Sequence, residues 1–238
     1  MYTFEAKIRY SECGVDAGLT TEALINYFQD ATVFHSDSVG VGLDYMFSLG
    51  IGWIVNFWQI DVMRYPKEGE DVVIETNPYQ LKGFSGLRNF RMKSKAGEEL
   101  AVANSVWTLV DFIHAKPTRI TQDMYDAYDL GEAFPMEYLP RKIKLPKEQG
   151  IACDSITVSA YMLDTNHHMN NEKFVQIAKS LLPDSLEGKR EKRIMVQYKK
   201  QAMLGDMLYP VRYDKEDMCT IAINDAAGDS YAIVELYF

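Results

Sequence analysis

The alternation of apolar and polar positions divides the first half of the chain into a short series of elements. Residues 3–10 alternate and predict a β-strand, whereas residues 21–36 carry apolar side chains at the spacing of a buried helix. Thr20 or Thr21 is suited to cap that helix. Strands are then predicted over 53–65, 71–77, 84–94 and 100–112. One helix followed by an antiparallel series of strands predicts an α+β arrangement.

The same order of elements returns in the second half. Residues 154–163 predict a strand and residues 171–182 an amphipathic helix, and further strands are predicted over 194–198, 207–213, 218–224 and 230–238. Gly69-Glu70 in the first series resembles Gly205-Asp206 in the second. We therefore interpret the chain as two copies of one fold, with a domain over 1–120, a proline-spaced linker over 121–150 that is partly helical near 121–128, and a domain over 151–238.

One polar cluster directly precedes the second helix. Residues 164–171 read Asp-Thr-Asn-His-His-Met-Asn-Asn. The spacing of Asp164, Asn166 and His168 places an acid/base pair and a neutral hydrogen-bond donor on one short turn. Helix capping by Asn170 or Asn171 explains one or two of these side chains but not the whole set. The cluster therefore predicts a functional site.

Composition narrows the classes of protein. The net charge of −9 argues against nucleic acid as a partner, and no apolar run approaches the ~20 residues that span a membrane. The N-terminus lacks the layout of a signal peptide, so a cytoplasmic protein is expected. Alternation along the chain directs His167 away from His168, so neither a metal site nor a cofactor is predicted. Three scattered cysteines favour a reducing compartment: Cys13, Cys153 and Cys219.

These features resemble a known family. A long helix after a strand, an antiparallel sheet, and the pattern D-x-N-x-H-x-N-N at 164–171 are similar to the hot-dog fold. The doubled version resembles the acyl-ACP thioesterases of bacteria and plant plastids. Residues 26–31 resemble the family's N-x-x-Q-[ED]-[AT] helix, and residues 105–107 resemble its S-x-W strand. The resemblance implies two tandem hot-dog domains, each a long helix wrapped by an antiparallel β-sheet, and hydrolysis of fatty acyl-ACP.

The chemistry of thioester hydrolysis fits the cluster, because it needs an activated water and stabilisation of an oxyanion. A neutral His168, oriented by Asp164, is expected to take the proton of the water, and the Asn166 amide to hold the carbonyl oxygen or the water. Asp164 as the base or nucleophile is the open alternative.

One departure from the family falls in the second half. Plant members carry Glu-Cys shortly after a Tyr-Arg-Arg strand, where this chain has Gln201-Ala202 after Tyr198-Lys199-Lys200. Gln201 can hold a water but cannot act as a base, and Ala202 has no reactive atom. The departure favours direct attack by water. Weak activity is one alternative, and a one-residue shift of the alignment is another, with Asp206 the nearest downstream acid.

The first half is expected to shape the acyl pocket, because its equivalent of the cluster, residues 13–20, has no His and no Asn. The candidate lining residues, for which plain core packing is the alternative, are Phe28, Phe34, Met46, Trp53 and Trp58. Since acyl carrier protein is acidic, its binding requires a local basic patch. The candidates for that patch, for which a solvated charged loop is the alternative, are Lys189, Arg190, Lys192, Arg193, Lys199 and Lys200.

Two other functions remain as alternatives: a hot-dog thioesterase acting on acyl-CoA, and a non-catalytic acyl-binding hot-dog protein. A preference for carrier-linked over CoA-linked substrate separates the first alternative from the main prediction. Dimerisation of the doubled unit is left open, as is the acyl chain length. The N-terminus without a transit peptide suggests a bacterial protein.

Overall fold

The computed structural model describes residues 1–238, which form two compact units, Met1–Tyr138 and Leu139–Phe238. No helix in either unit combines the length and the apolar character that crossing a membrane requires.

The first unit is an antiparallel sheet with one long helix. Its elements, in chain order, are β1 (Tyr2–Lys7), α1 (Thr21–Ser38), α2 (Leu43–Ser48), β2 (Ile51–Val62), β3 (Asp71–Lys82), β4 (Ser85–Ser94), β5 (Glu99–Asp111), β6 (Lys116–Pro117) and α3 (Gln122–Ala127). The strands pair in the order β1-β3-β4-β5-β2, with β6 paired to β5.

The helix α1 begins and packs as its sequence predicts. The Thr20 hydroxyl accepts a hydrogen bond from the N–H of Ala23, which satisfies one of the free donors at the helix start. The buried side of α1 includes Phe28, which is fully buried against Trp58 and Phe90, with ring centroids 6.2 and 5.2 Å away. The core of the first unit therefore lies between this helix and the sheet.

The second unit repeats this plan with a shorter helix. Its elements are β7 (Ile151–Ala152), β8 (Ile156–Thr157), α4 (Asn171–Ser180), β9 (Arg193–Tyr198), β10 (Met207–Lys215), β11 (Met218–Asn224) and β12 (Ser230–Tyr237). The strands pair in the order β9-β12-β11-β10-β7, with β8 paired to β10. Phe174 on α4 packs edge-on against Tyr198, with ring centroids 5.8 Å apart.

Two segments differ from their predictions. The strand predicted over 154–163 is wrong for most of its length, because only Ile156 and Thr157 pair, and residues 160–162 form a 3-10 turn. Val158 bonds to the turn at Gly205-Asp206 instead of continuing a ladder. The glycine-rich segment after α1, for which no element is predicted, contains the short helix α2, which lies between Gly42 and Gly50.

The helix expected near residues 121–128 is confirmed as α3, and it belongs to the interior of the first unit. The Thr121 hydroxyl accepts from the N–H of Met124 at its start. Met124 and Tyr128 are buried in one cluster with Val41 and Leu109. This part of the proposed linker therefore contributes to the core.

Candidate active site

The polar cluster at 164–171 forms a tight loop between the 3-10 turn and α4. The N–H of Asp164 donates to the carbonyl of His168 (2.7 Å), and the N–H of His167 donates to the carbonyl of Asp164 (3.1 Å). The Asp164 carboxylate oxygen Oδ1 accepts from the backbone N–H of Asn166 (2.8 Å) and of His168 (3.1 Å). Asp164 therefore holds the main chain of the loop, as aspartate commonly does in Asx turns.

Two further contacts fix the position of the loop. The N–H of Asn170 donates to the carbonyl of Met162 (2.8 Å), and the N–H of Met169 donates to the carbonyl of Ala202 (2.9 Å). An antiparallel bridge also pairs His168 with Met203. The loop is thereby attached to the segment that follows β9, and Gln201 lies beside it through its chain neighbour Ala202.

The first unit builds the same loop from different residues. The N–H of Gly14 donates to the carbonyl of Gly18 (2.9 Å), as Asp164 does to His168, and the N–H of Leu19 donates to the carbonyl of Pro66 (2.8 Å), as Met169 does to Ala202. Ala17 and His167 both have a positive φ, 57° and 61°. Residues 14–21 therefore correspond to 164–171, one residue later than the sequence indicated.

Comparison of the two loops shows which side chains the turn needs for its shape. Gly18 occupies the position of His168, and Gly14 occupies that of Asp164. The Asp16 carboxylate accepts from the N–H of Gly18 (3.1 Å) and replaces one of the two bonds made by Asp164. Because the same turn forms without an imidazole, the fold does not require His168.

The candidate catalytic side chains differ in their exposure to solvent. His168 and Asp164 are half-buried, whereas Asn166 and Gln201 are exposed. Asn170 stands at the N-cap position of α4, but its side chain makes no capping hydrogen bond. The contact between Asp164 and His168 runs through the His168 main chain, and the roles of Asp164, Asn166, His168 and Gln201 in catalysis stay predictions.

Asp206 is engaged in the structure of its own turn. Its Oδ2 accepts from the N–H of Met203 (2.9 Å) and from the hydroxyl of Tyr231 (3.1 Å). Glu70 does the same in the first unit, where its Oε2 accepts from the N–H of Lys67 (2.9 Å). The correspondence of Glu70 with Asp206 confirms the similarity noted in the sequence, and both carboxylates hold the main chain of their turns.

The candidate pocket residues lie at several separate places in the first unit. Phe28 and Trp58 are fully buried in the core, and Met46 belongs to the buried cluster around Met124. Phe34 is exposed and lines an open cleft of about 470 Å³ between β1 and α1. Trp53 lines a second cleft together with Trp107. Contact of any of these residues with an acyl chain stays a prediction.

The candidate carrier-binding residues divide into two groups. The side chains of Lys189, Lys192 and Lys199 are exposed and form no ion pair. Lys200 is paired with Asp225 and lies over the Tyr231 ring, 4.3 Å from its centroid. Arg190 and Arg193 are half-buried and make contacts of their own. The three exposed lysines are therefore the part of this group most available to an acidic partner.

Comparison with families of known proteins gives two adjoining matches. The family model "Acyl-ACP thioesterase N-terminal domain" matches residues 1–128, and "Acyl-ACP thioesterase C-terminal domain" matches residues 137–236. A chloroplastic acyl-[acyl-carrier-protein] hydrolase of Cuphea viscosissima is 29% identical over 211 residues, which are 82% of this chain and 50% of that protein. A chloroplastic palmitoyl-acyl carrier protein thioesterase of Gossypium hirsutum is 26% identical, over 91% of this chain and 56% of that protein. The chain thus spans about half the length of these relatives.

Solved structures confirm the fold. The crystal structure of an acyl-ACP thioesterase from Bacteroides thetaiotaomicron matches with a TM-score of 0.90 at 21% identity, covering 100% of this chain and 97% of that one. The 12:0-ACP thioesterase from Umbellularia californica matches with a TM-score of 0.86 at 22% identity, over 99% and 96%. The predicted architecture of two tandem hot-dog domains, each with a helix against an antiparallel sheet, is confirmed.

Proposed function

The chain belongs to the acyl-ACP thioesterase family, and from that premise we propose that it hydrolyses fatty acyl-ACP to a free fatty acid and ACP. The observation that carries this proposal within the molecule is the pair of equivalent loops. The turn at 14–18 forms with glycine where the turn at 164–168 has histidine. A histidine that the fold does not need, on a loop held at both ends, is best explained by chemistry.

In the proposed reaction, His168 takes a proton from a water molecule while the water oxygen attacks the thioester carbonyl carbon. The side-chain N–H of Asn166 donates to the carbonyl oxygen as it becomes an oxyanion. The carbon–sulfur bond then breaks. The His168 imidazolium returns its proton to the departing sulfur, and the phosphopantetheine leaves as a thiol. The reaction needs no cofactor.

Asp164 acts in this proposal as a positioning residue. Its Oδ1 already accepts two backbone N–H groups, at Asn166 and His168, so the carboxylate keeps the two reacting side chains at a fixed spacing. Gln201, beside the loop, is proposed to bind the attacking water through its amide, since it cannot remove a proton. The alanine at position 202 provides no cysteine nucleophile there and favours direct attack by water.

The proposed partner is acyl carrier protein, and the exposed Lys189, Lys192 and Lys199 are proposed to contact its acidic surface. The first unit, whose loop lacks the imidazole, is proposed to receive the acyl chain. A cytoplasmic bacterial protein and a homodimer stay predictions from the sequence, and the plant relatives named above are chloroplastic.

The test is release of thiol from a panel of acyl-ACPs and from acyl-CoAs with the same acyl chains. The proposal predicts hydrolysis of acyl-ACP with a kcat/KM at least ~10-fold above that of the matching acyl-CoA, because only ACP presents an acidic protein surface to the lysines. Equal turnover of both substrates would instead favour an acyl-CoA thioesterase. Binding of acyl-ACP without release of thiol would favour a non-catalytic acyl-binding protein.

A further inference from the structure

Arg88 is a buried cation without a carboxylate partner. It lies on β4 with 5% of its surface exposed. Its Nη1 donates to Nδ1 of His35 (2.9 Å) and to the hydroxyl of Thr76 (3.2 Å), and its guanidinium lies over the ring of Tyr128, 5.4 Å from the centroid. Buried charges in proteins are normally paired with an opposite charge, because removing an ion from water is costly.

The groups around Arg88 do not neutralise it. Burial lowers the pKa of Arg88 to about 10, so the guanidinium is still charged at neutral pH. Burial and the Arg88 charge lower the pKa of His35 to about 3, so the imidazole is neutral there and Nδ1 accepts. The Tyr128 hydroxyl, which also hydrogen-bonds Arg88, is bonded to the hydroxyl of Ser36 (2.7 Å). None of the polar contacts of Arg88 is therefore with a carboxylate.

Other arginines of this chain show the usual arrangement. Arg91, three positions further along β4, forms an ion pair with Glu99 (2.7 Å) and lies 3.7 Å from Glu75. Arg64 bonds to both Glu70 (2.8 Å) and Glu98 (2.6 Å). Arg88 is more deeply buried than either and has no carboxylate partner within the chain.

A narrow cleft in the first unit leads to Arg88. Its void is about 20 Å³, which is enough for one water-sized group. Trp53, Leu81 and Trp107 line the cleft and are half-buried, so an apolar chain can lie against them.

We propose that this cleft binds a carboxylate carried on an aliphatic chain, with one carboxylate oxygen against the Arg88 guanidinium and the chain against Trp53 and Trp107. A guanidinium matches the geometry of a carboxylate, and the indole surfaces match a hydrocarbon. Two sources supply this chemistry: a free fatty acid, or an acyl thioester whose far end carries a second carboxyl group. The site goes beyond hydrolysis, and binding to it requires no turnover.

The first experiment compares head groups on the same chain. Dodecanoate and 1-dodecanol are titrated as monomers into the full-length protein at neutral pH, with quenching of tryptophan fluorescence as the readout, because two of the three tryptophans line the cleft. The expected result is at least ~10-fold tighter binding of the carboxylate, as for a charge-assisted hydrogen bond. Equal affinity of the two ligands would overturn the proposal.

Variants then assign the preference to Arg88. Arg88→Gln should remove the difference between dodecanoate and dodecanol, whereas Arg91→Gln, which changes an arginine already paired with carboxylates, should keep it. A preference that survives in a folded Arg88→Gln protein would overturn the proposal. If Arg88→Gln does not fold, the comparison of the two head groups in the unchanged protein still decides the outcome.

Steady-state kinetics distinguish a free fatty acid from a carboxyl-terminated substrate as the source of the carboxylate. If the carboxylate is the far end of the substrate, a dodecanoyl thioester with a terminal carboxyl group should have a KM at least ~10-fold below that of the plain thioester. This difference in KM should disappear in Arg88→Gln. If the carboxylate is the free fatty acid, dodecanoate should inhibit the unchanged protein more than Arg88→Gln, with no gain for the carboxyl-terminated thioester. The binding arm does not use turnover, so failure of hydrolysis and failure of this site are distinguishable.

Discussion

Acidification should destabilise the first unit through His35. This imidazole is 4% exposed and beside the Arg88 charge, which lowers its folded-state pKa to about 3 from an ordinary value of 6.5. Below pH 6.5 the unfolded chain binds a proton that the folded chain does not, so stability falls as the pH drops from there towards 3. At about pH 4.5 these two pKa values correspond to a loss of about 3 kcal/mol.

The assay is denaturant unfolding at about pH 7.5 and about pH 4.5, followed by tryptophan fluorescence. All three tryptophans, Trp53, Trp58 and Trp107, lie in the first unit, so the signal reports on that unit. His35→Asn removes the titration and keeps an acceptor for Arg88. His114→Asn is the matched control, because His114 is exposed and bonded to Asp111 (2.7 Å).

Between the two pH values, the free energy of unfolding should fall by about 3 kcal/mol more in the unchanged protein than in His35→Asn. In His114→Asn it should fall about as much as in the unchanged protein. Carboxylates whose pKa is lowered by a partner, such as Glu70 beside Arg64 and Asp225 beside Lys200, also lose stability in acid. They do so equally in the unchanged protein and in His35→Asn, so the difference between these two proteins isolates His35. The same pH dependence in His35→Asn and in the unchanged protein would refute the reasoning.

Two further predictions concern the second unit. Asp164→Ala should lower the free energy of unfolding by ~1–3 kcal/mol, because two backbone N–H groups lose their acceptor, whereas Asp164→Asn should keep both the stability and most of the kcat. A fall in kcat of ~100-fold or more in Asp164→Asn would instead identify Asp164 as the base. Replacing Lys189, Lys192 and Lys199 together by Glu should raise KM for acyl-ACP and leave KM for acyl-CoA unchanged, and an equal rise for both substrates would contradict carrier recognition at these lysines.

The sequence predicts the long elements because their patterns are strong. The apolar spacing of α1 and the alternation of β2 to β5 and β10 to β12 give these elements to within a few residues, except for β3, which continues to Lys82. The pattern over 154–163 wrongly predicts a strand, because alternation does not distinguish a strand from an extended segment that lacks a partner. Only Ile156 and Thr157 find one, on β10.

The site is predictable to the extent that it is local. Asp164, Asn166 and His168 lie on one turn, so their spacing alone brings them together, and Gln201 was found through the family pattern. The buried network around Arg88 had no such signal, because His35, Thr76 and Tyr128 come from distant parts of the chain. Tyr128 lies in a segment that composition indicated to be a linker. Such a cluster is recognisable only once packing has brought its members together.

The central claim, that His168 serves chemistry rather than the fold, is tested most directly by exchanging residues between the two equivalent loops. His168→Gly copies Gly18, and the control His167→Ala copies Ala17, which has nearly the same φ. The measurement is kcat for acyl-ACP together with the melting temperature. His168→Gly should lose at least ~100-fold in kcat while costing no more than ~1 kcal/mol of stability, and His167→Ala should keep its rate. An unchanged kcat in His168→Gly, or an equal loss in both variants, would contradict the account.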